Sequence, residues 1–172
     1  MARLLDVPFE IQRQSTGVVA QTFAKGLNRT VIQLDGLTLP DIAGGASLAV
    51  GRRIFTFPAG GIKVLGATLN AVSLKHTQGN VTADTPDLGI GTTIASGAVA
   101  VLGGTAAFEN ILTGQTMDDC NGTTETVSVA TELLILAGDS HDVYLNVADG
   151  WAASGDDGIL VKGQVIIAWA QL

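Results

Sequence analysis

The chain has 172 residues, 47% of them hydrophobic and only 15% charged, with a formal net charge of −7 and an isoelectric point near 4.5. That length is one domain, or one domain with an arm, and builds a full core without a metal or disulfide staple. The acidity argues against a nucleic-acid partner, because phosphate is repelled and no Lys/Arg run exceeds Arg52-Arg53.

Ordinary domains carry about 25% charged residues. A chain this poor in charge is expected to bury apolar surface between subunits, as a homo-oligomer. The charge is also divided along the sequence. Residues 1–75 hold eight of the nine Lys and Arg and four of the sixteen acids, a formal +4, and residues 76–172 carry −11. A basic side facing a partner and an acidic side facing solvent is one reading of this division. The other is that adjacent strands mix the two halves in space.

Residues 1–25 mix Arg3, Asp6, Glu10, Arg13 and Lys25 with Leu4, Leu5, Val7, Phe9 and Ile11, without a helical stripe. They read as an extended N-terminal arm or as an edge strand. No signal peptide is visible at the start, since no apolar h-region follows Arg3, Asp6 and Pro8.

Strand signals then recur between turn residues. Residues 30–34 end at Asp35-Gly36, and residues 47–57 end at Pro58. In residues 62–74, Ile62, Val64, Val72 and Leu74 share one face, while Leu65, Ala67, Leu69 and Ala71 share the other. Two apolar faces place that strand centrally or at an interface. Residues 76–87 are a polar loop, residues 90–101 and 105–112 are expected as strands around a Gly103-Gly104 turn, and residues 118–123 form a second loop.

Residues 127–135 alternate up to Gly138-Asp139, and residues 143–147 alternate up to Asp149-Gly150. Ile159, Val161, Gly163, Val165, Ile167 and Trp169 fall on one face of the last strand. No capped amphipathic stretch exceeds two turns. The fold class is therefore all-β: an antiparallel β-sandwich or a jelly-roll-like barrel over residues 26–172, with the arm before it.

The uncharged run 88–108 is long enough for a membrane span. Its five glycines, Thr92, Thr93, Ser96 and Thr105, and its acidic flanks point to strands instead, and no membrane partner is expected.

Chemistry-bearing motifs are sparse. Gly138-Asp139-Ser140 resembles the nucleophile turn of GDS-type esterases, but the nearest histidine, His141, is the adjacent residue and cannot serve Ser140 as base. A β-turn with local side-chain bonds is expected, and the chain is read as no enzyme. His76 and His141 lack spaced ligand partners, and Asp118-Asp119 and Asp156-Asp157 lack the ordered spacing of a calcium loop. They read as solvated turn acids, with no metal and no cofactor.

The lone Cys120 follows two acids and reads as a small apolar filler with a raised thiol pKa. Trp169 sits on the apolar register, in core or interface. Trp151, with Tyr144, is the candidate exposed aromatic contact of a sugar platform. The sequons at Asn28, Asn80 and Asn121 are chance matches in a Thr-rich chain.

Residues 85–123 (TPDLGIGTTIASGAVAVLGGTAAFENILTGQTMDDCNGT), followed by HDVYLNVADGW at 141–151 and GILVKGQVIIAW at 158–169, resemble a family of small tailed-phage virion proteins. These are head decoration (cement) proteins and related structural proteins, and the resemblance covers roughly residues 47–172. It implies a β-sandwich bound in many copies to the outside of a DNA-filled head, made in the host cytoplasm and holding the capsid against internal pressure. Its partners would be the major capsid protein and its own copies, as a trimer. Arg3, Arg13, Lys25, Arg29, Arg52 and Arg53 are then the expected capsid-facing residues, with the acidic loops around Asp118 and Asp156 pointing outward. A head or tail fibre domain, or a carbohydrate-binding adhesin, is the alternative on the same fold.

Overall fold

Among the described residues of the computed structural model every regular element is a strand, and all pair antiparallel. The structure describes residues 10–25, 27–43, 47–104, 106–149, 151 and 157–172, without the side chains of residues 24 and 25. The strands are β1 (Glu10–Ser15), β2 (Val18–Lys25), β3 (Leu27–Thr38), β4 (Ala49–Thr56), β5 (Ile62–His76), β6 (Asp87–Gly91), β7 (Leu112–Thr116), β8 (Asn121–Ile135), β9 (Asp142–Ala148) and β10 (Ile159–Gln171). They form a six-stranded sheet, β1-β2-β3-β10-β5-β8, and a four-stranded sheet, β4-β9-β6-β7. The result is an antiparallel sandwich. Residues 10–25 of the expected arm or edge strand are the hairpin β1–β2, with β1 at the sheet edge; residues 1–9 lie outside the described residues.

The core lies between the sheets. β10 supplies Ile159, Val161, Val165, Ile167 and Trp169, all fully buried, as its alternation requires. The Trp169 ring meets Phe57 edge-on at 5.4 Å, and its Nε1–H donates to Thr30 Oγ1 at 2.9 Å. Thr30 is in turn within 3.0 Å of Thr22 Oγ1, so the buried indole and both hydroxyls are satisfied.

Of the second apolar face read in β5, Ala67 and Leu69 join the first in the core, while Leu65 and Ala71 stay outside it. Register breaks at 64–66 and 69–72 re-phase the strand, so Ile62 and Val64, then Ala67 and Leu69, then Val72 and Leu74 all point inward. At the second break Ala71 takes a φ of 48° and its N–H donates to Thr126 Oγ1 at 3.0 Å. The neighbouring strand faces that bulge with Gly163 at φ 121°, where a Cβ would collide with the Ala71 carbonyl.

Residues 90–101 and 105–112, expected as strands, are mostly a loop between β6 and β7. This loop lies on the outward face of the smaller sheet, because Gly51 and Gly91 present no side chain there. A Cβ on Gly51 would strike the Asn146 side chain, and one on Gly91 would strike the backbone of Ala107 and Phe108. Ala95 and Leu102, with Val99 and Phe108 beside them, pack on Ala49 and Ala148 as a second small cluster. Covered on both faces, β6 and β9 are apolar almost throughout. No helix of the described residues is long and apolar enough to cross a membrane.

Candidate functional site

The basic residues expected on one side do not share one. Arg13 on β1 and Arg29 on β3 are exposed on the outward face of the larger sheet. Arg53 on β4 faces outward from the smaller sheet, where it pairs with Asp142 at 3.3 Å. Arg52, its neighbour, takes the opposite face, as successive strand residues must. Arg3 lies outside the described residues, as does the side chain of Lys25. The division of charge along the sequence is mixed by strand pairing: Arg53–Asp142 and Lys63–Glu132 both join the basic half to the acidic half.

What the structure does bring together is an outward face in which aliphatic and aromatic residues stand among arginines and neutral polar side chains. Backbone register sets Ile11, Gln21, Val31, Ile166, Thr68 and Ser128 in one row across the six strands. The next row along the strands runs Phe23, Arg29, Ala168, Gly66 and Ala130. On the other side of the first row, Arg13, Val19, Gln33, Gln164 and Asn70 align. A polar ladder closes that row: Asn70 Nδ2 donates to Gln164 Oε1, and Gln164 Nε2 to Gln33 Oε1, both at 2.9 Å.

A solvent-facing sheet surface ordinarily alternates to polar residues. Here Val19, Phe23, Val31, Ile166 and Ala168 occupy the outward register, with Ile11 55% and Leu27 54% exposed. Aromatic, aliphatic and Arg residues with few carboxylates make up the chemistry of a protein interface. Sequence reasoning missed this face because it comes from pairing six separate strands.

The aromatic platform is not formed. Trp151, expected as an exposed contact, is 3% exposed, its Nε1–H donating to Leu48 O at 3.0 Å inside the core. Tyr144 remains at the surface beside Arg53, its hydroxyl donating to Asp142 Oδ2 at 3.4 Å. Burial first, then the Asp142 charge, raises the Tyr144 pKa. Burial would raise the Asp142 carboxyl, but the Thr56 hydroxyl and the Arg53 guanidinium hold it below the usual range.

Asp157, read as a solvated turn acid, is fully buried. Its Oδ1 accepts N–H groups of Thr77 (3.1 Å) and Gln78 (2.8 Å), and its Oδ2 those of Asn80 (2.8 Å) and Val81 (3.3 Å). Burial pushes this carboxyl up; the four donors outweigh it and hold the pKa below the ordinary value. Asp119 also sits low, chiefly through the N–H of Asn121. Asp156 lies outside the described residues, and no group of three potential ligands gathers among the described residues.

Cys120 is buried, and its thiol is pushed up to about 12 by burial and then by the charges of Asp84, Asp119, Asp149 and Asp157. Residues 138–140 form the expected exposed turn, in which Asp139 Oδ2 accepts the Leu136 N–H at 2.8 Å. His141 Nε2 bonds the Gly60 carbonyl at 2.8 Å, away from Ser140.

No protein-family model matches the chain, and no curated protein matches it. Solved structures similar to it include a CBM4 structure at TM-score 0.37 and 12% identity, covering 91% of this chain and 96% of the other. A chain of the cyanophage Pam1 capsid asymmetric unit matches at TM-score 0.36 and 19% identity over 99% and 94%. One from infectious bursal disease virus, Gx strain, matches at 0.37 and 11% over 97% and 37%. Likenesses this distant assign no function.

Proposed function

We propose that this chain is a virion structural protein: a head decoration (cement) protein that binds the outer surface of a phage capsid and stabilises it. The observation that carries the reading is the outward face of the larger sheet. Phe23, Val31, Ile166 and Ala168 lie across its middle strands, and exposed Arg13 and Arg29 flank them. Docking such a face buries apolar area, and the arginines steer and orient the encounter. The resemblance of residues 47–172 to small tailed-phage virion proteins supplies the kind of partner, the major capsid protein. The low charge of the chain supports self-association, with a trimer as the expected oligomer.

The carbohydrate-binding alternative loses its aromatic platform with the burial of Trp151. The cement role is tested by adding the protein to decoration-free heads. Many copies should bind, and the bound heads should retain DNA at temperatures where bare heads release it. Binding with no gain in head stability would contradict the cement role.

A further inference from the structure

Arg52 holds a position that cations rarely take. It lies in β4 between Val50 and Ile54, both core residues, and pairs across the sheet with buried Leu145. Its Nε is buried and has no hydrogen-bond partner, and no carboxylate of the described residues pairs with its guanidinium. Ser15 Oγ, at the end of β1, is buried and unpartnered in the same way. Both residues line one open cavity of about 570 Å³, together with Thr16, Leu37 and Thr38. Two of the three residues that carry an orphaned side-chain atom, among the described residues, thus line one space, at the joint between the edges of the two sheets, where Gln12 on β1 bonds Thr56 on β4.

A buried donor left without an acceptor is destabilising, and folded proteins pair nearly all such groups. We infer that this cleft binds a carboxylate, the acidic side chain of a partner polypeptide, with the Arg52 guanidinium as its fork. Arginine presents parallel N–H groups that match a carboxylate edge, and exposed Thr16 and Thr38 bring further hydroxyl donors to the rim. Arg52 is the one cation among the described lining residues, which suits a monoanion better than a phosphate dianion. The volume exceeds a carboxylate and suits a residue-sized group. The site stands apart from the capsid-facing surface and needs only an acidic ligand.

The test is an NMR titration of the full chain with N-acetyl-glutamate amide, watching the Arg52 Nε–H signal and the amides of Ser15, Thr16 and Thr38. N-acetyl-glutamine amide and inorganic phosphate serve as comparisons. Saturable shifts are expected with the glutamate probe alone, with a Kd of about 10 mM or tighter. Arg52→Met should weaken binding at least about tenfold while leaving Tm unchanged or raised, since it removes an unsatisfied buried donor.

No saturable shift, equal binding of phosphate, or binding that survives Arg52→Met would overturn the proposal. A Tm lowered by several degrees in Arg52→Met would do the same, by making Arg52 a structural residue. Binding seen only in Asp6→Asn or Asp156→Asn would assign the cleft to the chain's own acids and overturn an outside ligand.

Discussion

Asp157 accepts the backbone N–H of Asn80 at 2.8 Å, across 77 residues of sequence, and so fixes the loop after β5 to the segment entering β10. The tie is reinforced by the Ile42–Asp157 bridge, in which Ile42 N–H donates to Asp157 O at 2.8 Å. The folded pKa lies below the unfolded value, so this group contributes stability at pH above about 4, and the contribution is lost as pH falls through the folded pKa. Asp157→Asn should destabilise the protein by roughly 3 kcal/mol, or about 9 °C in Tm, at neutral pH. The variant should also lose less stability than the wild type between pH 5 and pH 2. Thermal melts over that range check both; an unchanged acid limb would show that Asp157 is not the titrating group.

Ala71 and Gly163 make opposite expectations. Ala71 sits in the left-handed region, which costs a non-glycine residue about 1–2 kcal/mol, more than the entropic cost of a glycine. Ala71→Gly should therefore stabilise by roughly 0.5–1 kcal/mol. Gly163→Ala meets both a positive φ and the Ala71 carbonyl, and should cost about 3 kcal/mol or more. Urea denaturation of the two variants measures both signs.

Thr30 is the acceptor for the buried Trp169 indole. Thr30→Val keeps the shape and removes the oxygen, so it should cost about 2 kcal/mol, and the fluorescence of Trp169 should report the lost bond. A neutral substitution would mean that the indole N–H finds another acceptor.

Asn146 clamps the loop that covers the smaller sheet. Its Oδ1 accepts Ala95 N–H at 2.9 Å, and its Nδ2 donates to Thr93 O (3.0 Å) and Phe108 O (2.7 Å). Asn146→Ala should speed amide exchange in residues 92–111 well before it does so in β10. Uniform acceleration over the chain would show a global loss of stability instead.

These residues also mark how far the sequence could be read. β10 was legible because its alternation runs unbroken and its core face is set locally. β5 read as two apolar faces because two bulges, invisible to a period-two pattern, re-phase it. The 92–111 segment read as strands because its apolar residues are real. Their place on the outer face depends on Gly51, Gly91 and Asn146, which lie on three different strands. Asp157 looked like a turn acid because its donors lie some 76 to 80 residues away. Trp151, beside an expected turn, looked exposed because nothing local reveals the Leu48 carbonyl that holds its indole. Arg52 and Arg53 looked like one basic patch, although strand geometry sends adjacent residues to opposite faces.

The most direct test of the central claim is co-sedimentation of the chain with decoration-free heads, comparing wild type with the double variant Arg13→Glu/Arg29→Glu. Both side chains are exposed on the outward face of the larger sheet, so the variant should fold and keep its Tm. Saturable binding by the wild type, weakened at least about tenfold in the variant, is the expected result. Equal binding by both proteins would contradict a capsid contact through this face.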